Sequence, residues 1–267
     1  MIPVKPKKSL GQHFLTDKNI ARKIANSLSL QPFGKILEIG PGMGILTEIL
    51  VTLKDQEMKF VEIDPSAVEF LANRFPGIAD RIIPADILTL PFDRIYHEPF
   101  AIIGNFPYNI SSQLLFKILE YRNIVVETVC MIQKEVATRI ASPPGSRDYG
   151  ILSVFLQAYY TIEFLFSVPP QVFTPPPRVN SAVIRLRRNT TRNLECDEML
   201  FSRVVKTAFN QRRKMLRNSL RGLTGNAVPA GNIWQKRPEQ LGINEFVELT
   251  RMIAKSGFEK NIYSTDI

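Results

Sequence analysis

Asn105-Phe106-Pro107-Tyr108 stands at the end of an apolar run, Phe100 to Ile103. A short polar-aromatic turn on the end of a buried strand is where an α/β sheet keeps its site, outside the carboxyl edge of the strands. Its chemistry suits methylation of an exocyclic amine on a base. The lone pair of such an amine is delocalised into the ring, which makes it a poor nucleophile. The Asn105 side-chain oxygen and the backbone carbonyl preceding Pro107 can accept its two N–H bonds and stabilise the positive charge that develops on nitrogen. The Tyr108 ring can stack on the extruded base. The same residue types also make an ordinary strand-to-helix turn, so the remainder of the chain must decide between the two.

A second cluster precedes it. Glu38-Ile39-Gly40-Pro41-Gly42-Met43-Gly44 leaves one apolar run and opens a helix-like one. Its glycines permit a tight turn and close approach of a ligand. The spacing is G-x-G-x-G, not that of dinucleotide binders, and Pro41 removes an N–H that a pyrophosphate would use. Glu62 follows Gly42 by twenty residues, at the end of the next strand-like run, where an acid can take ribose hydroxyls. Asp86 ends the third run, where a carboxylate can accept the exocyclic N–H of adenine. Either acid alone could be a helix N-cap. Together with the glycine turn they outline a nucleoside-shaped site.

These residues need a scaffold. Strand-like runs at Lys35–Ile39, Lys59–Ile63, Ile82–Ala85, Phe100–Gly104 and Thr128–Gln133 alternate with helix-like stretches at Gly44–Leu53, Pro65–Arg74, Ser112–Tyr121 and Lys134–Ile140. Thr16 is placed to cap a preceding helix from Asp17 to about Leu28. Alternation with near-continuous apolar strands predicts a mostly parallel sheet covered on both faces. Tyr159–Phe166 and Ala182–Leu186, joined by a proline-rich loop, predict an antiparallel hairpin at its edge. After Arg188 the chain turns polar, and from Asp197 its periods are helical. Met199, Val204, Val205, Phe209, Met215, Leu216 and Leu220 form the apolar side of these periods, and one basic helix is expected over Arg203–Arg221. The expected division is therefore an α/β Rossmann-like domain over residues 1–192 and a small all-helical domain over 193–267.

Charge is concentrated across the junction of these two parts. The net charge is +9, yet the stretch from Arg178 to Arg221 alone holds twelve Lys/Arg against three acids, and the rest of the chain is balanced. A surplus so concentrated points to a polyanion, and nucleic acid suits it better than a membrane because the stretch lacks a long apolar face with aromatic anchors. No apolar run has the length of a membrane span, and the N-terminus lacks the apolar core of a secretory signal. With only Cys130, Cys196, His13 and His97 available, no metal-ligand cluster arises by spacing. The expectation is a cytoplasmic protein that binds no metal.

The ordered motifs resemble the small-subunit ribosomal RNA adenine N6-dimethyltransferase family. Leu10-Gly11-Gln12-His13-Phe14-Leu15 is similar to its N-terminal signature, Glu38–Gly44 to its cofactor loop and Asn105–Ser111 to its catalytic turn. Gln133-Lys134-Glu135-Val136, Val172–Val179 and Phe209–Lys214 follow in the family's order. The resemblance implies a Rossmann-like S-adenosylmethionine-dependent methyltransferase domain, and transfer of methyl groups to the N6 amines of two adjacent adenines near the 3′ end of small-subunit RNA. It also implies a role in small-subunit assembly, acting as a monomer. By the same resemblance His13 and Leu15 contact the methionine end of S-adenosylmethionine, and Gly40 and Gly42 form the glycine turn. Glu62 holds the ribose and Asp86 the adenine. Asn105, Pro107 and Tyr108 form the catalytic turn, with Phe173 on the other face of the target base. Arg178, Arg212, Arg213, Lys214 and Arg217 are the expected RNA contacts. His13 stands where many members carry Asn, and Phe106 where a smaller aliphatic residue is usual. Three other readings remain open on sequence: a sister enzyme acting on large-subunit RNA, a DNA adenine methyltransferase, and an assembly factor whose methylation is incidental.

Overall fold

In a computed structural model the described residues are 4–29, 34–53, 55–224 and 231–255. The contact pattern divides the chain into two compact units. One combines residues 1–138 with 160–188, and the other combines 139–159 with 189–267. A single cut after residue 192 therefore does not describe the division, because a helix from the middle of the chain joins the second unit. Parts of the C-terminal stretch, 225–230 and 256–267, lie outside the described residues.

Among the described residues the first unit is built on nine strands: β1 (Phe14–Leu15), β2 (Lys35–Ile39), β3 (Glu57–Glu62), β4 (Ile82–Pro84), β5 (Phe100–Asn105), β6 (Val125–Gln133), β7 (Tyr160–Val168), β8 (Phe173–Thr174) and β9 (Ser181–Arg188). Seven of them form one sheet in the order β4-β3-β2-β5-β6-β9-β7. The first five in that order are parallel; β9 runs antiparallel to both β6 and β7, so the hairpin closes one edge as its loop connection requires. Alternate residues of the parallel strands, among them Ile36, Phe60, Ile103 and Met131, enter one buried cluster with Ile24, Leu50 and Leu71 from the helices. The remaining two strands, β1 and β8, pair with each other, matching Leu15 to Phe173. That register buries both side chains in the same cluster. Thr16 tightens the junction, its backbone N–H and its hydroxyl both donating to the Val172 carbonyl at 2.8 and 2.9 Å.

Among the described residues four α-helices lie wholly in this unit: α1 (Lys18–Ala25), α2 (Thr47–Leu50), α3 (Pro65–Arg74) and α4 (Ser111–Glu120). Asp17, not Thr16, caps α1, accepting from the N–H groups of Asn19 and Ile20 at 2.7 and 3.0 Å. Thr16 is unavailable because its hydroxyl is spent on Val172. Asp64 caps α3, with Pro65 at the first helical position where a missing N–H costs nothing. The helix expected over Gly44–Leu53 contracts to the single α-turn of α2 flanked by looser turns.

Helix α5 (Lys134–Ala141) leads out of β6, and α6 (Ile151–Tyr159) belongs wholly to the second unit. The other helices there are α7 (Glu198–Asn210), α8 (Leu216–Ser219), α9 (Arg221–Thr224) and α10 (Ile243–Lys255). Phe201, Val204 and Val205 of α7 and Phe246, Leu249 and Ile253 of α10 are buried, and the Phe201 and Phe246 rings meet edge-on at 6.5 Å. The basic stretch is not one helix. It breaks at 211–215, where the Lys214 N–H folds back to the Gln211 carbonyl at 2.8 Å. Met199 and Met215, placed on the apolar side by periodicity, are 71% and 39% exposed. Among the described residues no helix is long and apolar enough to cross a membrane.

Candidate active site

The parallel strands deliver their carboxyl ends to a single edge, where one cavity is lined by the glycine turn after β2, by Glu62 and Ile63 after β3, by Asp86–Leu88 after β4 and by Asn105–Ile110 after β5. Leu10–Phe14 supply a further wall. His13, Gly40, Gly42, Glu62, Asp86, Asn105, Pro107 and Tyr108 thus meet around one space.

Two glycines make this geometry feasible. Gly42 has φ +55°, and a Cβ there would lie 2.9 Å from the Phe14 ring. Gly104 sits one residue before Asn105, and its Cβ would come within 2.4 Å of the Ile39 carbonyl oxygen on the neighbouring strand. Bare backbone at Gly104 lets β5 lie close beside β2 and so brings Asn105 next to the glycine turn.

Glu62 is buried and its carboxylate is already engaged. Oε2 accepts the Gly42 N–H at 3.0 Å and Oε1 the Asp64 N–H at 2.9 Å. Burial raises its pKa, and these backbone donors oppose the rise. Each oxygen keeps a second acceptor site, which two ribose hydroxyls can use. Asp86 Oδ1 accepts the Leu88 N–H at 2.9 Å, leaving Oδ2 for an exocyclic amine. Asn105 donates through Nδ2 to the His13 carbonyl at 2.9 Å, which orients the amide and leaves its oxygen as the acceptor. The Phe106 N–H bonds the Met131 carbonyl at 3.0 Å, anchoring the residue whose carbonyl precedes Pro107; the Phe106 ring is buried. The Tyr108 hydroxyl is hydrogen-bonded to Ser181, and its ring lies 5.3 Å from that of His13. His13 Nδ1 is 2.8 Å from the Pro175 carbonyl, so Nδ1 carries the hydrogen and Nε2 is the nitrogen left for a ligand.

The side chains of two expected contacts are buried in the core. Phe173 is 3% exposed and packed into the core beneath β1. It does not line the cavity and is the anchor of the proline-rich loop, not a face for the base. The Leu15 side chain, its partner across the β1–β8 pair, is buried in the same cluster. In both cases hydrophobic pairing outweighs exposure: burying one such side chain is worth about 1.5–3 kcal/mol.

The expected RNA contacts also divide. Arg178, Arg213, Lys214 and Arg217 are exposed. Arg212 is half-buried, its Nη2 donating to the carbonyls of Ser146 and Arg147 within its own unit and its Nε lying 3.9 Å from Glu239. One guanidinium nitrogen held by two carbonyls makes Arg212 a brace for that stretch.

Other residues that shape the site had weak or no local signals. Asp64 accepts from Lys7 Nζ at 2.6 Å and Gln12 Nε2 at 3.1 Å, and so ties the N-terminal wall to the start of α3. Burial works to raise the Asp64 pKa, but the bonds from Lys7, Gln12 and the Ser66 N–H hold it below the usual carboxylate range. The Asp64-Pro65 pair is a readable helix start, whereas nothing local marks Lys7 as its partner.

Glu38, at the head of the glycine turn, is buried with Thr47 Oγ1 donating at 2.8 Å. Burial pushes its pKa up from 4.5 to about 8, Thr47 opposing and the Glu62 charge adding to the rise. Below pH 4.5 both folded and unfolded chains hold this proton; between 4.5 and 8 only the folded chain does. Stability should therefore fall through that window by about 1.4 kcal/mol per pH unit and level off above it. We expect the melting temperature to drop from pH 5 to pH 8 and Glu38→Gln, which keeps an oxygen for Thr47, to flatten the decline. Glu62 and Glu127 are raised as well and keep part of the slope. A pH profile of the variant parallel to that of the wild type would assign the decline to other groups.

The family model for ribosomal RNA adenine dimethylase matches residues 4–251. Ribosomal RNA small subunit methyltransferase A of Phocaeicola vulgatus is 49% identical over 269 residues, covering 99% of this chain and 96% of that protein. Its counterpart of the same name in Bacteroides thetaiotaomicron is 51% identical over 256 residues, covering 95% and 96%. Among solved structures, 23S rRNA methyltransferase ErmE is 28% identical with a TM-score of 0.66, covering 89% of this chain and 99% of that one. A dimethyladenosine transferase from Plasmodium falciparum gives 0.76 at 22% identity, covering 92% and 98%, a likeness of fold.

Proposed function

The chain belongs to the ribosomal RNA adenine dimethylase family, and from that premise we propose that it transfers methyl groups from S-adenosylmethionine to the N6 amines of two adjacent adenines near the 3′ end of small-subunit RNA. It is a methyltransferase of Rossmann-like fold with an antiparallel edge pair. The observation that carries the reading is the Asn105 amide, fixed by the His13 carbonyl on the cavity wall that also holds Glu62 and Asp86.

The donor set suits S-adenosylmethionine. Glu62 offers acceptors for two ribose hydroxyls and Asp86 one for the adenine amine, while Pro41 denies the glycine turn a phosphate-binding N–H. His13, Gly40 and Gly42 lie toward the methionine end in this reading, and the bound sulfonium supplies an electrophilic methyl group. On the acceptor side Asn105 Oδ1 and the Phe106 carbonyl take the two N–H bonds of the target amine. They localise its lone pair on nitrogen and stabilise the positive charge as the C–N bond forms. Tyr108, steadied by Ser181, offers a ring face to the extruded base. No side chain is needed as general base, since the protonated methylamine can release its proton to water.

Catalysis is assigned to the sheet unit, and phosphate contacts to Arg178 there and to Arg213, Lys214 and Arg217 in the helical unit. Cytoplasmic, monomeric and metal-free action belongs to the same proposal and rests on the sequence arguments.

The test is tritiated methyl transfer to unmethylated small subunits, naked small-subunit RNA, naked large-subunit RNA and duplex DNA, with nucleosides identified after digestion. Dimethyladenosine from small-subunit acceptors alone is the expected result. Label in large-subunit RNA or DNA would move the protein to another substrate. A protein that binds the cofactor and labels none of the four would be an assembly factor.

A further inference from the structure

Between β4 and the next element the chain makes one helical turn and stops. The N–H groups of Thr89 and Leu90 both bond the Asp86 carbonyl, at 3.1 and 3.0 Å, and the Asp86 side chain takes the Leu88 N–H. An interrupted turn leaves later carbonyls without helical partners. Here those of Ile87, Leu88 and Leu90 converge on one atom, Lys117 Nζ, at 2.7, 2.9 and 2.6 Å. An ammonium has three N–H bonds, and all three are used. Its charge lies over the faces of Phe92 and Tyr121, 5.0 and 6.0 Å from their centroids. The anions that face it are Asp86 and Glu120.

Lys117 lies on α4, which begins at Ser111 directly after the Asn105–Tyr108 turn. The loop it holds carries Asp86, Ile87 and Leu88, and all three line the same cavity as Asn105. One side chain thus joins the two segments that, in the reading above, recognise the cofactor's adenine and hold the target amine. We propose that Lys117 is a positioning residue for cofactor recognition: it fixes the Asp86–Leu90 loop on the helix leaving the catalytic turn and thereby sets the selectivity for an adenine amine. This inference rests on the adenosyl reading of the cavity.

The experiment measures calorimetric binding of S-adenosylhomocysteine and of S-inosylhomocysteine, whose ring carbonyl cannot donate to Asp86. Wild type, Lys117→Met and Lys117→Arg are compared. Losing three charge-assisted bonds frees the loop, so Lys117→Met should weaken S-adenosylhomocysteine by about tenfold or more and narrow the adenosyl-over-inosyl preference. Lys117→Arg keeps the charge but spreads its donors over a planar fork, and should fall between the two in both affinity and preference. A Lys117→Met protein that melts earlier yet keeps the wild-type preference would make Lys117 a scaffold residue only and overturn the proposal. If that variant does not fold, a wild-type preference in Lys117→Arg overturns it in the same way. A wild type that binds neither compound is a distinct result, which removes the adenosyl reading itself.

Discussion

Asn105→Ala should fold, bind S-adenosylhomocysteine almost as tightly as the wild type, and transfer methyl groups slower by the equivalent of ~2–4 kcal/mol, the range for loss of one charge-stabilising group in a transition state. The main-chain pairing of residue 105 with Met131 survives the change, so β5 keeps its register. The side chain has two jobs. Nδ2 holds the His13 carbonyl, a partly exposed group that water can satisfy once the amide is gone. Oδ1 meets an amine that becomes cationic only as the bond forms, so its loss falls on the transition state and not on cofactor binding. Asn105→Asp separates the jobs, keeping an oxygen while losing the donor that orients it. It should therefore also be slow. Single-turnover transfer measured beside calorimetric affinity reads both quantities. An alanine variant that methylates at the wild-type rate would remove Asn105 from the mechanism.

Glu62→Gln should act at the other end of the reaction. The wild-type carboxylate satisfies two backbone N–H groups, of Gly42 and Asp64, on separate oxygens. Glutamine has one oxygen, so its NH2 must face one of those donors. A buried donor without an acceptor costs about 1–3 kcal/mol. Substitution also removes a buried charge whose pKa burial raises, which returns part of that cost to the folded state. The net loss of stability is therefore smaller than the loss of binding, where the displaced glycine turn and a weakened ribose acceptor act together. Affinity for S-adenosylhomocysteine should fall by about a hundredfold, the equivalent of ~2.7 kcal/mol, with a shift of only a few degrees in melting temperature. Unchanged affinity would exclude Glu62 from the ribose site.

The parallel core was legible because strands buried on both faces read as unbroken apolar runs, and those around Ile36, Phe60 and Ile103 fall where the runs do. Helix α6 escaped notice for the opposite reason. Seven of its nine residues are buried, so no polar side remains to reveal a helical period. The polar residues assigned to the cavity share one property: each sits at the end of a strand, and a parallel sheet gathers such ends without needing long-range information. Phe173 was misplaced because its partner is Leu15, and no local pattern reports a pairing across so long a span. Arg212 shows a further limit. Sequence gives the sign of its charge, whereas the carbonyls of Ser146 and Arg147 that claim it come from folding.

The wall formed by Leu10–Phe14 has a consequence for synthesis on the ribosome. His13 leaves the exit tunnel early, but Pro175, whose carbonyl it meets, lies 162 positions later. At the usual 5–20 residues per second, the first strand must wait about 8–32 s for its partner. During that interval the strand ends that line the cavity emerge, the last of them by residue 110, but the wall still lacks its β8 pairing. The growing chain should therefore acquire its ability to retain the nucleoside in one late step, once β8 appears, and not gradually as each strand emerges.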